Sequence, residues 1–285
     1  MNNLIISLTS YPARINVVHK TIESLLCQTV TPSKIILWLA DEQFPNKEND
    51  LPENLLELTK GTNFEIDWCE DIRSYKKLVP ALRKYPDSTI ITCDDDVIYD
   101  CKCVEKLVKA HKKDSESIWC HRGHYILFDK NKKVLPYRNW FRRINPQKPS
   151  FNILQTGIGA VLYPQGCFYK DVLDENLFMD LAYDADDIWF WAMAVLNGRK
   201  VGVVKANCMT PVSIIENDEN ALWLKNLNNN ENDRVIDKVF NHYPDLEHKL
   251  SKTRPWFIVY EHKRRKVFNI CGIKIKVRIG DKSDE

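Results

Sequence analysis

The stretch that decides the fold is residues 89–96, TIITCDDD, an apolar β-branched run followed by three aspartates. The run 89–93 is too short and too β-branched for a helix and is typical of a buried strand in a parallel sheet. Open α/β sheets bind ligands at the carboxyl ends of their strands, where the three aspartates should emerge. Adjacent carboxylates repel one another unless a cation lies among them, and Mg2+ or Mn2+ is the usual cation. An acidic surface turn is the alternative, but apolar sequence resumes at Val97–Tyr99, which favours a metal site.

Composition and charge exclude several classes of protein. The chain has 285 residues, of which 44% are hydrophobic, enough for one large domain or one domain with an appendage. Its formal net charge of +2 argues against a general nucleic-acid binder, which needs excess basic charge. No stretch approaches the ~20 apolar residues of a membrane span. Residues 1–7 do not resemble the start of a signal peptide, so we expect none.

The cysteine content favours a cytoplasmic location. The nine cysteines are an odd number without CxxC spacing, and they fit buried thiols in a reducing cytosol. A zinc site is a weaker interpretation, since CxC followed by CHxxH is not a usual ligand spacing. Its ligands would come from Cys101, Cys103, Cys120, His121 and His124.

Strand and helix signals alternate through the first half of the chain. The predicted strands are residues 4–8, 35–39, 64–68 and 89–93, and the predicted helices begin near Asn16, Leu55, Ser74 and Val104. We expect Ser74 to cap its helix. This βαβαβαβ order predicts an α/β fold with a doubly wound, mostly parallel sheet of the nucleotide-binding kind.

The second half has a less regular pattern. It contains a predicted strand pair and loop within 119–150, strands at 161–163 and 201–204, a helix at 188–196, a polar linker at 226–233 and a hairpin at 267–278. Asn197-Gly198 should end the helix.

A second acidic group, Asp184, Asp186 and Asp187, precedes that helix. Helix capping would explain one of these carboxylates. One acid cluster for a metal and a second for proton abstraction would suit transfer from a phosphorylated donor to a hydroxyl. The basic residues expected to meet the phosphates are Arg14, Arg73, Lys76 and Lys77.

Several motifs, taken in order, resemble glycosyltransferases of the GT-A fold. The resemblance is greatest to the bacterial family 2-like enzymes of surface-polysaccharide (capsule or lipooligosaccharide) assembly, and it covers roughly residues 3–205. The matching pieces are the strand and loop Ile5–Pro12, the helix segment SLLCQT at 24–29, the DxD-like Asp94–Asp96, and Asp186-Asp187 ten residues before Asn197-Gly198. Asp186 stands where the family has Glu.

The resemblance implies a GT-A type fold, in which a nucleotide-binding half is followed by a mixed, acceptor-binding half. A catalytic domain would span 1–225, with a nucleotide-sugar half at 1–100 and an acceptor-side half at 101–225. Residues 226–285 would form a helical segment and a small basic C-terminal hairpin.

The resemblance also implies roles for residues. Asp94 and Asp96 would bind Mn2+ or Mg2+ together with the donor diphosphate, and Asp187, or alternatively Asp186, would deprotonate the acceptor in an inverting displacement. The donor would be a UDP-sugar, and the acceptor a glycan or a lipid-linked saccharide. The residues around the donor would be Thr9, Ser10, Tyr11, Arg14, Asp41, Asp71, Lys77, Asp94 and Asp95.

The chain departs from the family pattern in two places. Glu42-Gln43 follows Asp41 where the commonest pattern has Gly-Ser. A third metal ligand is not identified by the motifs, and His242 and His262 are the candidates.

Two other functions compete with this interpretation. A haloacid-dehalogenase-like phosphatase would use Asp94 as nucleophile and Asp96 as acid and base, but about ninety residues of α/β pattern precede the motif, and Ile98 stands where Thr or Val is expected. A divalent-ion-dependent carbohydrate-binding protein would use Trp140, Trp189 and Trp191 as sugar platforms, although core packing is the simpler role for them.

The C-terminal segment is strongly basic. Residues 261–278 contain seven Lys/Arg and one acid, a local charge of +6 (7 − 1), and follow Trp256, Phe257 and Tyr260, aromatic residues that favour a membrane–water interface. In 273–278 basic and apolar residues alternate, so a strand would have one cationic and one apolar face. Peripheral contact with an anionic cytoplasmic membrane is one interpretation. An edge strand whose lysines prevent aggregation is the other.

Overall fold

A computed structural model gives the fold of residues 3–145, 147–204, 209–211, 231–252, 255–262, 265–270 and 273–278. The strands are β1 (Leu4–Thr9), β2 (Lys34–Ala40), β3 (Phe64–Cys69), β4 (Thr89–Thr92), β5 (Val97–Tyr99), β6 (Ile118–Cys120), β7 (Gly123–Tyr125), β8 (Gln147–Ser150), β9 (Ile153–Gln155), β10 (Val161–Tyr163), β11 (Val201–Val203), β12 (Met209–Pro211), β13 (Phe257–His262), β14 (Arg265–Ile270) and β15 (Ile273–Arg278).

The helices in the same ranges alternate with these strands in the first half. They are α1 (Val18–Leu26), α2 (Glu53–Glu57), α3 (Val79–Lys84), α4 (Cys103–Lys113), α5 (Glu175–Ala182), α6 (Asp186–Leu196), α7 (Glu231–His242) and α8 (Asp245–Lys249). In the described part of the chain, no helix is both long enough and apolar enough to cross a membrane.

The central sheet has eight strands in the order β3-β2-β1-β4-β10-β6-β11-β8. The first four strands are mutually parallel. β10 is antiparallel to both of its neighbours, whereas β6 and β11 are parallel to each other and β8 is antiparallel to β11. The predicted α/β fold, a doubly wound and mostly parallel sheet with a mixed second half, is confirmed.

Both faces of the sheet are covered, as in a doubly wound fold. Alternate residues of a strand face opposite sides, so Ile5 belongs to one buried cluster while Leu4 and Ile6 belong to the other. The cluster of Leu4 contains residues of α1, α2 and α4. The cluster of Ile5 contains residues of α3 and of α5 to α8.

The expected cap at Ser74 is wrong. Residues 73–77 form a 3-10 turn, α3 begins only at Val79, and the buried Ser74 hydroxyl has no hydrogen-bond partner. Pro80 explains the later start, because a proline lacks an N–H and is tolerated only in the first turn of a helix.

The polar linker predicted at 226–233 is wrong for its last three residues, which open α7; residues 226–230 lie outside the described ranges. Glu231 and Asp233 suit a helix N-terminus, and Ile236 and Val239 bury one face of the helix. The expected hairpin at 267–278 is present as β14 and β15, and β13 adds a third strand. The proposed domain boundary at residue 225 stays a prediction.

Candidate active site

Acidic and basic side chains meet at the carboxyl edge of the parallel strands. Because β1, β2, β3 and β4 run in the same direction, the residues that follow them emerge at one edge of the sheet. The loop before β10 and the start of α6 reach the same place, since Gly157 N donates a hydrogen bond of 2.8 Å to Asp187 Oδ2. Two acidic segments that are far apart in the sequence therefore share one site.

Lys77 lies between these two segments. Its Nζ is 2.9 Å from Asp186 Oδ2 and 3.7 Å from Asp94 Oδ1, and the residue is only 8% exposed. Burial disfavours the ammonium, but the charges of Asp186, Asp187 and Asp94 outweigh it and hold the pKa of Lys77 well above its usual value. Lys77 is therefore a permanent cation at the centre of the cluster.

The backbone of Lys77 is held by the neighbouring strands. The Ser7 hydroxyl donates to the Lys77 carbonyl at 2.7 Å, and Trp38 Nε1 donates to Ser7 Oγ at 2.9 Å. Tyr75, two residues earlier, is fully buried and donates to the carbonyl of Ala182 at 2.7 Å. The 3-10 turn is thus fastened to both the sheet and α5.

Gly157 occupies the space between the charged groups. A Cβ at this position would lie 2.6 Å from Lys77 Nζ, 3.2 Å from Asp187 Oδ1 and 3.5 Å from Asp94 Oδ1. A side chain here would therefore push Lys77 away from the carboxylates. The glycine is required for space and not for its backbone conformation, since its φ is not positive.

Asp187 has an environment suited to a base. Its Oδ1 is buried without a hydrogen-bond partner, while Gln155 Nε2 donates to its backbone carbonyl at 3.2 Å. Burial raises the pKa of Asp187 to about 7; Lys77 lowers this value and Asp186 raises it. A carboxylate with a pKa near neutrality is a stronger base than an ordinary aspartate and is still ionised at pH 7 to a large extent.

The other two aspartates after β4 are tied to the loop after β1. Asp95 is buried, and it accepts hydrogen bonds of 2.7 Å from both Ser10 Oγ and Arg14 Nη1. Arg14 Nη1 also lies 3.0 Å from Asp96 Oδ2. The Arg14 guanidinium is 5.5 Å from the centre of the Tyr11 ring, so this loop combines a cation with an aromatic surface.

The donor residues predicted at the ends of β2 and β3 form a separate group. Asp71 is paired with Lys76 and accepts a hydrogen bond of 2.7 Å from Gln43 Nε2. Asp41 is exposed and paired with Lys47. The Thr9 hydroxyl donates to the carbonyl of Trp38 at 2.8 Å, within the sheet. Contact of these residues with a nucleoside stays a prediction.

The acids at the start of α6 do not cap that helix. No side chain caps its N-terminus. Asp184 is paired with Arg73, whose Nη2 is 2.7 Å from Asp184 Oδ1, and Arg73 also lies over the ring of Tyr183. Capping is therefore not the role of these residues. Arg73 and Lys76, expected at the phosphates, are instead committed to Asp184 and Asp71.

The carboxylates fit a hard divalent cation bound together with a substrate. Asp94, Asp95, Asp96, Asp186 and Asp187 face Lys77 and Arg14, a formal excess of three negative charges (5 − 2). The side chain of Asp94 is 24% exposed to solvent and that of Asp96 is 41% exposed, so an ion can reach them. The described residues contain no group of three protein ligands. Mg2+ is commonly held by only one or two carboxylates, with substrate phosphates and water completing its shell.

The histidines suggested as a third ligand are not joined to this cluster. His242 lies on α7 against the ring of Tyr243, with the ring centres 4.5 Å apart, and the side chain of His262 is outside the described residues. The thiols considered for zinc bond to the backbone: Cys103 Sγ lies 3.9 Å from the carbonyl of Gly159, and Cys120 Sγ lies 3.6 Å from that of Gly202.

Three residues of the site were not identified from the sequence. They are Gly157, Tyr99, whose hydroxyl accepts a hydrogen bond of 2.8 Å from Asp94 N, and Arg122, which follows β6 at the same edge of the sheet. The TGIGA run at 156–160 was a visible signal, since two glycines before a strand can indicate a close approach of the backbone.

The similarity of this chain to known proteins is one of fold. No protein-family model matches the sequence, and neither does any curated protein. Residues 1–349 of S. aureus TarS are similar in structure, with a TM-score of 0.49 and 12% identity over 85% of this chain and 73% of that one. TarS has also been solved with UDP and with UDP-GlcNAc.

Two further solved structures are similar to a comparable extent. The 4-diphosphocytidyl-2C-methyl-D-erythritol synthase of Anaerococcus prevotii has a TM-score of 0.46 and 15% identity over 79% of this chain and 95% of its own. The CMP:2-keto-3-deoxy-manno-octonic acid synthetase, solved with CTP, has a TM-score of 0.46 and 13% identity over 79% and 99%. These similarities describe the arrangement of strands and helices only.

Replacing the central cation tests the electrostatics of the site. We expect Lys77→Met to lower the free energy of unfolding by about 3–5 kcal/mol at pH 7, because it leaves buried carboxylates uncompensated. The deficit should shrink at pH 5, because the pKa values of Asp187 and Asp94 are raised and protonation of these two acids removes part of the uncompensated charge. Urea denaturation at both pH values measures it. Lys60→Met, which removes an exposed partner of Glu57, is the control and should change little. A loss for Lys77→Met that is equally small, or independent of pH, would contradict this account.

Proposed function

We propose that the chain is a metal-dependent glycosyltransferase, which moves a sugar from a nucleoside-diphosphate donor, a UDP-sugar, to a hydroxyl of a glycan or a lipid-linked saccharide. The observation that supports this most is the meeting of the two acidic segments around Lys77 at the carboxyl edge of the sheet. One segment offers accessible carboxylates for a cation and the other a carboxylate of raised pKa. Both are needed for transfer from a phosphorylated donor to a hydroxyl.

Asp94 and Asp96 would hold Mn2+ or Mg2+. Held there, the ion would supply charge neutralisation at the diphosphate, which would make it a better leaving group. Lys77 already lies beside Asp94 and adds a second positive charge close to the same position. Arg14 fixes Asp96 and Asp95 and so holds the cluster in shape before the donor arrives.

Asp187 is the better candidate for the general base. Asp186 Oδ2 forms an ion pair with Lys77 at 2.9 Å. Asp187 Oδ1 forms neither an ion pair nor a hydrogen bond with the described residues, and the Gly157 N–H orients the other oxygen. In the proposed step the acceptor oxygen bonds to the anomeric carbon, the bond from that carbon to the diphosphate breaks, and the acceptor proton passes to Asp187. The negative charge leaves with the nucleoside diphosphate. Attack from the face opposite the leaving group inverts the configuration.

The competing functions receive less support. A phosphatase would need Asp96 as a proton donor, but Asp96 Oδ2 is paired with Arg14 Nη1 at 3.0 Å. The tryptophans suggested as sugar platforms are buried: Trp140 is 4%, Trp189 0% and Trp191 1% exposed. The platform interpretation is therefore wrong, and these rings form part of the core.

The first test concerns the metal. We expect Asp96→Ala to abolish Mn2+-dependent binding of UDP while the protein stays folded, since it removes one of several repelling charges. Calorimetric titration of UDP with and without Mn2+ measures the effect. Glu42→Ala, an acid at the exit of the neighbouring strand β2, is the control and should retain Mn2+-dependent binding. Unchanged UDP affinity in Asp96→Ala would refute the metal assignment.

The second test concerns the base. Asp187→Asn keeps the size and shape of the side chain but cannot take up a proton, so turnover should fall by roughly 10²–10⁴-fold. Donor binding should change little. The comparison is with Asp186→Asn, which should reduce turnover less because Asp186 acts through Lys77. Near-normal transfer by Asp187→Asn would exclude the proposed mechanism.

The C-terminal sheet supports a location at an anionic membrane on the cytoplasmic side. Of the eight exposed large apolar side chains in the described residues, six belong to this sheet or its start: Trp256, Phe257, Ile270, Ile273, Ile275 and Val277. The strand register places the last five on one face, while Tyr260 on the other face stacks on Phe141 at 4.3 Å. Lysines on an edge strand prevent aggregation, but they do not explain an apolar outer face.

The charge of this sheet indicates that its apolar face contacts lipid and not the same face of a second copy of the chain. Lys266 lies on the apolar face, Arg265, Lys274, Lys276 and Arg278 lie on the opposite face, and all five are exposed. Two copies that met through this sheet would bring ten positive charges close together (2 × 5), whereas each basic residue near an anionic leaflet contributes about 1 kcal/mol. Lipid-linked acceptors would be found at that surface.

The third test is sedimentation with liposomes. We expect the protein to bind phosphatidylglycerol vesicles at low salt, to be released at high salt, and to ignore phosphatidylcholine. Replacing Lys274, Lys276 and Arg278 with Gln should weaken binding. Replacing Lys109, Lys112 and Lys113 of α4 with Gln removes the same charge elsewhere and should not. Equal binding by the two triple variants would leave only the edge-strand role.

A further inference from the structure

Three arginines lie together beside the loop that holds Asp187. The backbone carbonyl of Arg122 accepts a hydrogen bond of 3.1 Å from Thr156 N, one residue before Gly157. Residues 141–144 run antiparallel to β7, with Tyr125 N donating to the Phe141 carbonyl at 2.8 Å. This pairing brings Arg142 and Arg143 alongside Arg122. We call Arg122, Arg142 and Arg143 the arginine cluster.

Arg122 lacks a counter-ion in the described part of the chain. Its side chain is half-buried, its Nε is fully buried without a hydrogen-bond partner, and no carboxylate there forms an ion pair with it. Burial and the charge of Arg143 lower the pKa of Arg122, although Asp187 and Asp94 are near enough to oppose this. An unpaired, partly desolvated guanidinium is costly unless an anion completes it.

The neighbouring residues of the chain add further positive charge. His124 is buried, and its Nδ1 accepts a hydrogen bond of 3.1 Å from Arg143 N. Burial, with Arg122 and its neighbours, lowers the pKa of His124 to about 3, so the imidazole is neutral. Residues 119–145 contain seven Lys/Arg and one acid, a local charge of +6 (7 − 1). The donor side of the site has the opposite sign.

We propose that the arginine cluster binds an anionic group, a phosphate or a carboxylate, that the acceptor carries near its reacting hydroxyl. This inference rests on the proposed function and names the substrate class of the same site. The cluster adjoins the Thr156–Gly157 backbone that orients Asp187, and the hydroxyl that loses its proton must reach Asp187. Guanidinium groups bind phosphates and carboxylates through paired hydrogen bonds, which suits this role.

A role in donor binding fits the charges less well. The donor diphosphate can be neutralised by the cation at Asp94 and Asp96 together with Lys77, and it needs no further arginines. The cluster instead provides a separate positive surface on the second half of the sheet, beyond β10.

The test compares sugars of similar size that differ in charge. Glucose 6-phosphate, glucuronate and glucose are titrated calorimetrically into the full-length protein in EDTA, where the free carboxylates repel anions from the donor side. Binding of UDP with Mn2+ is measured in parallel on the same proteins. The variants are Arg122→Gln, the double variant Arg142→Gln with Arg143→Gln, and Arg138→Gln. Arg138 is an exposed arginine of the same loop and is the control.

We expect one or both anionic sugars to bind at least about tenfold more tightly than glucose, and the stronger of the two identifies phosphate or carboxylate. Arg122→Gln and the double variant should remove this preference and leave UDP binding unchanged, while Arg138→Gln should keep both. Equal binding of the three sugars, with UDP still bound, would overturn this inference and leave the proposed function intact. Loss of UDP binding in Arg122→Gln with the sugar preference retained would also overturn it. Binding of anionic sugars without any binding of UDP would support the anion site and refute the proposed function.

Discussion

Repulsion among buried carboxylates is the constraint on which this site depends, and Lys77 is the group that relieves it. Asp94 and Asp186 are 92 positions apart in the sequence (186 − 94), yet both lie within 4 Å of the same ammonium. The tight turn at 73–77, the Ser7 hydroxyl that holds its last carbonyl, and the missing side chain of Gly157 all place that ammonium. Burial, to which the charge of Asp186 adds, raises the pKa of Asp187. The remaining excess of negative charge would favour the proposed cation.

The two halves of the sheet carry opposite charges, and this division provides a physical basis for ordering two substrates. The parallel half ends in carboxylates that suit a cation and a diphosphate. The mixed half, beginning with β6, brings a segment of strong positive charge to the same edge. Asp187 lies where the two meet, since Gly157 and Thr156 connect it to Arg122. Loop 141–145 continues from that segment to the C-terminal sheet, where Asn145 N donates to the Val259 carbonyl at 2.9 Å. The segment proposed to bind the acceptor therefore contacts the sheet proposed to meet the membrane.

Much of the fold was predictable because it depends on local patterns. The four parallel strands were found from short β-branched runs, and the aspartates after β4 and before α6 from their position next to apolar elements. The ion pairs were not predictable, since Lys76 and Lys77 are adjacent in the sequence yet serve Asp71 and Asp186 in different groups. The predicted cap at Ser74 is wrong because Pro80 sets the start of the helix at Val79, and this effect outweighs the capping pattern at Ser74. Gly157 and Arg122 matter through contacts across the sheet, which no single-sequence pattern contains.

Asp187 can act as a base near neutral pH only if its burial in the cluster, together with the charge of Asp186, raises its pKa. Carbon-13 NMR of aspartate-labelled protein, titrated without metal, measures this directly, with the Asp187 signal assigned from Asp187→Asn. We expect a pKa of about 7 in the wild-type protein. It should be lower in Asp186→Asn, because the charge of Asp186 raises the pKa of its neighbour and its loss frees Lys77 to interact with Asp187. A pKa near the ordinary aspartate value of about 3.9 in both proteins would contradict the account.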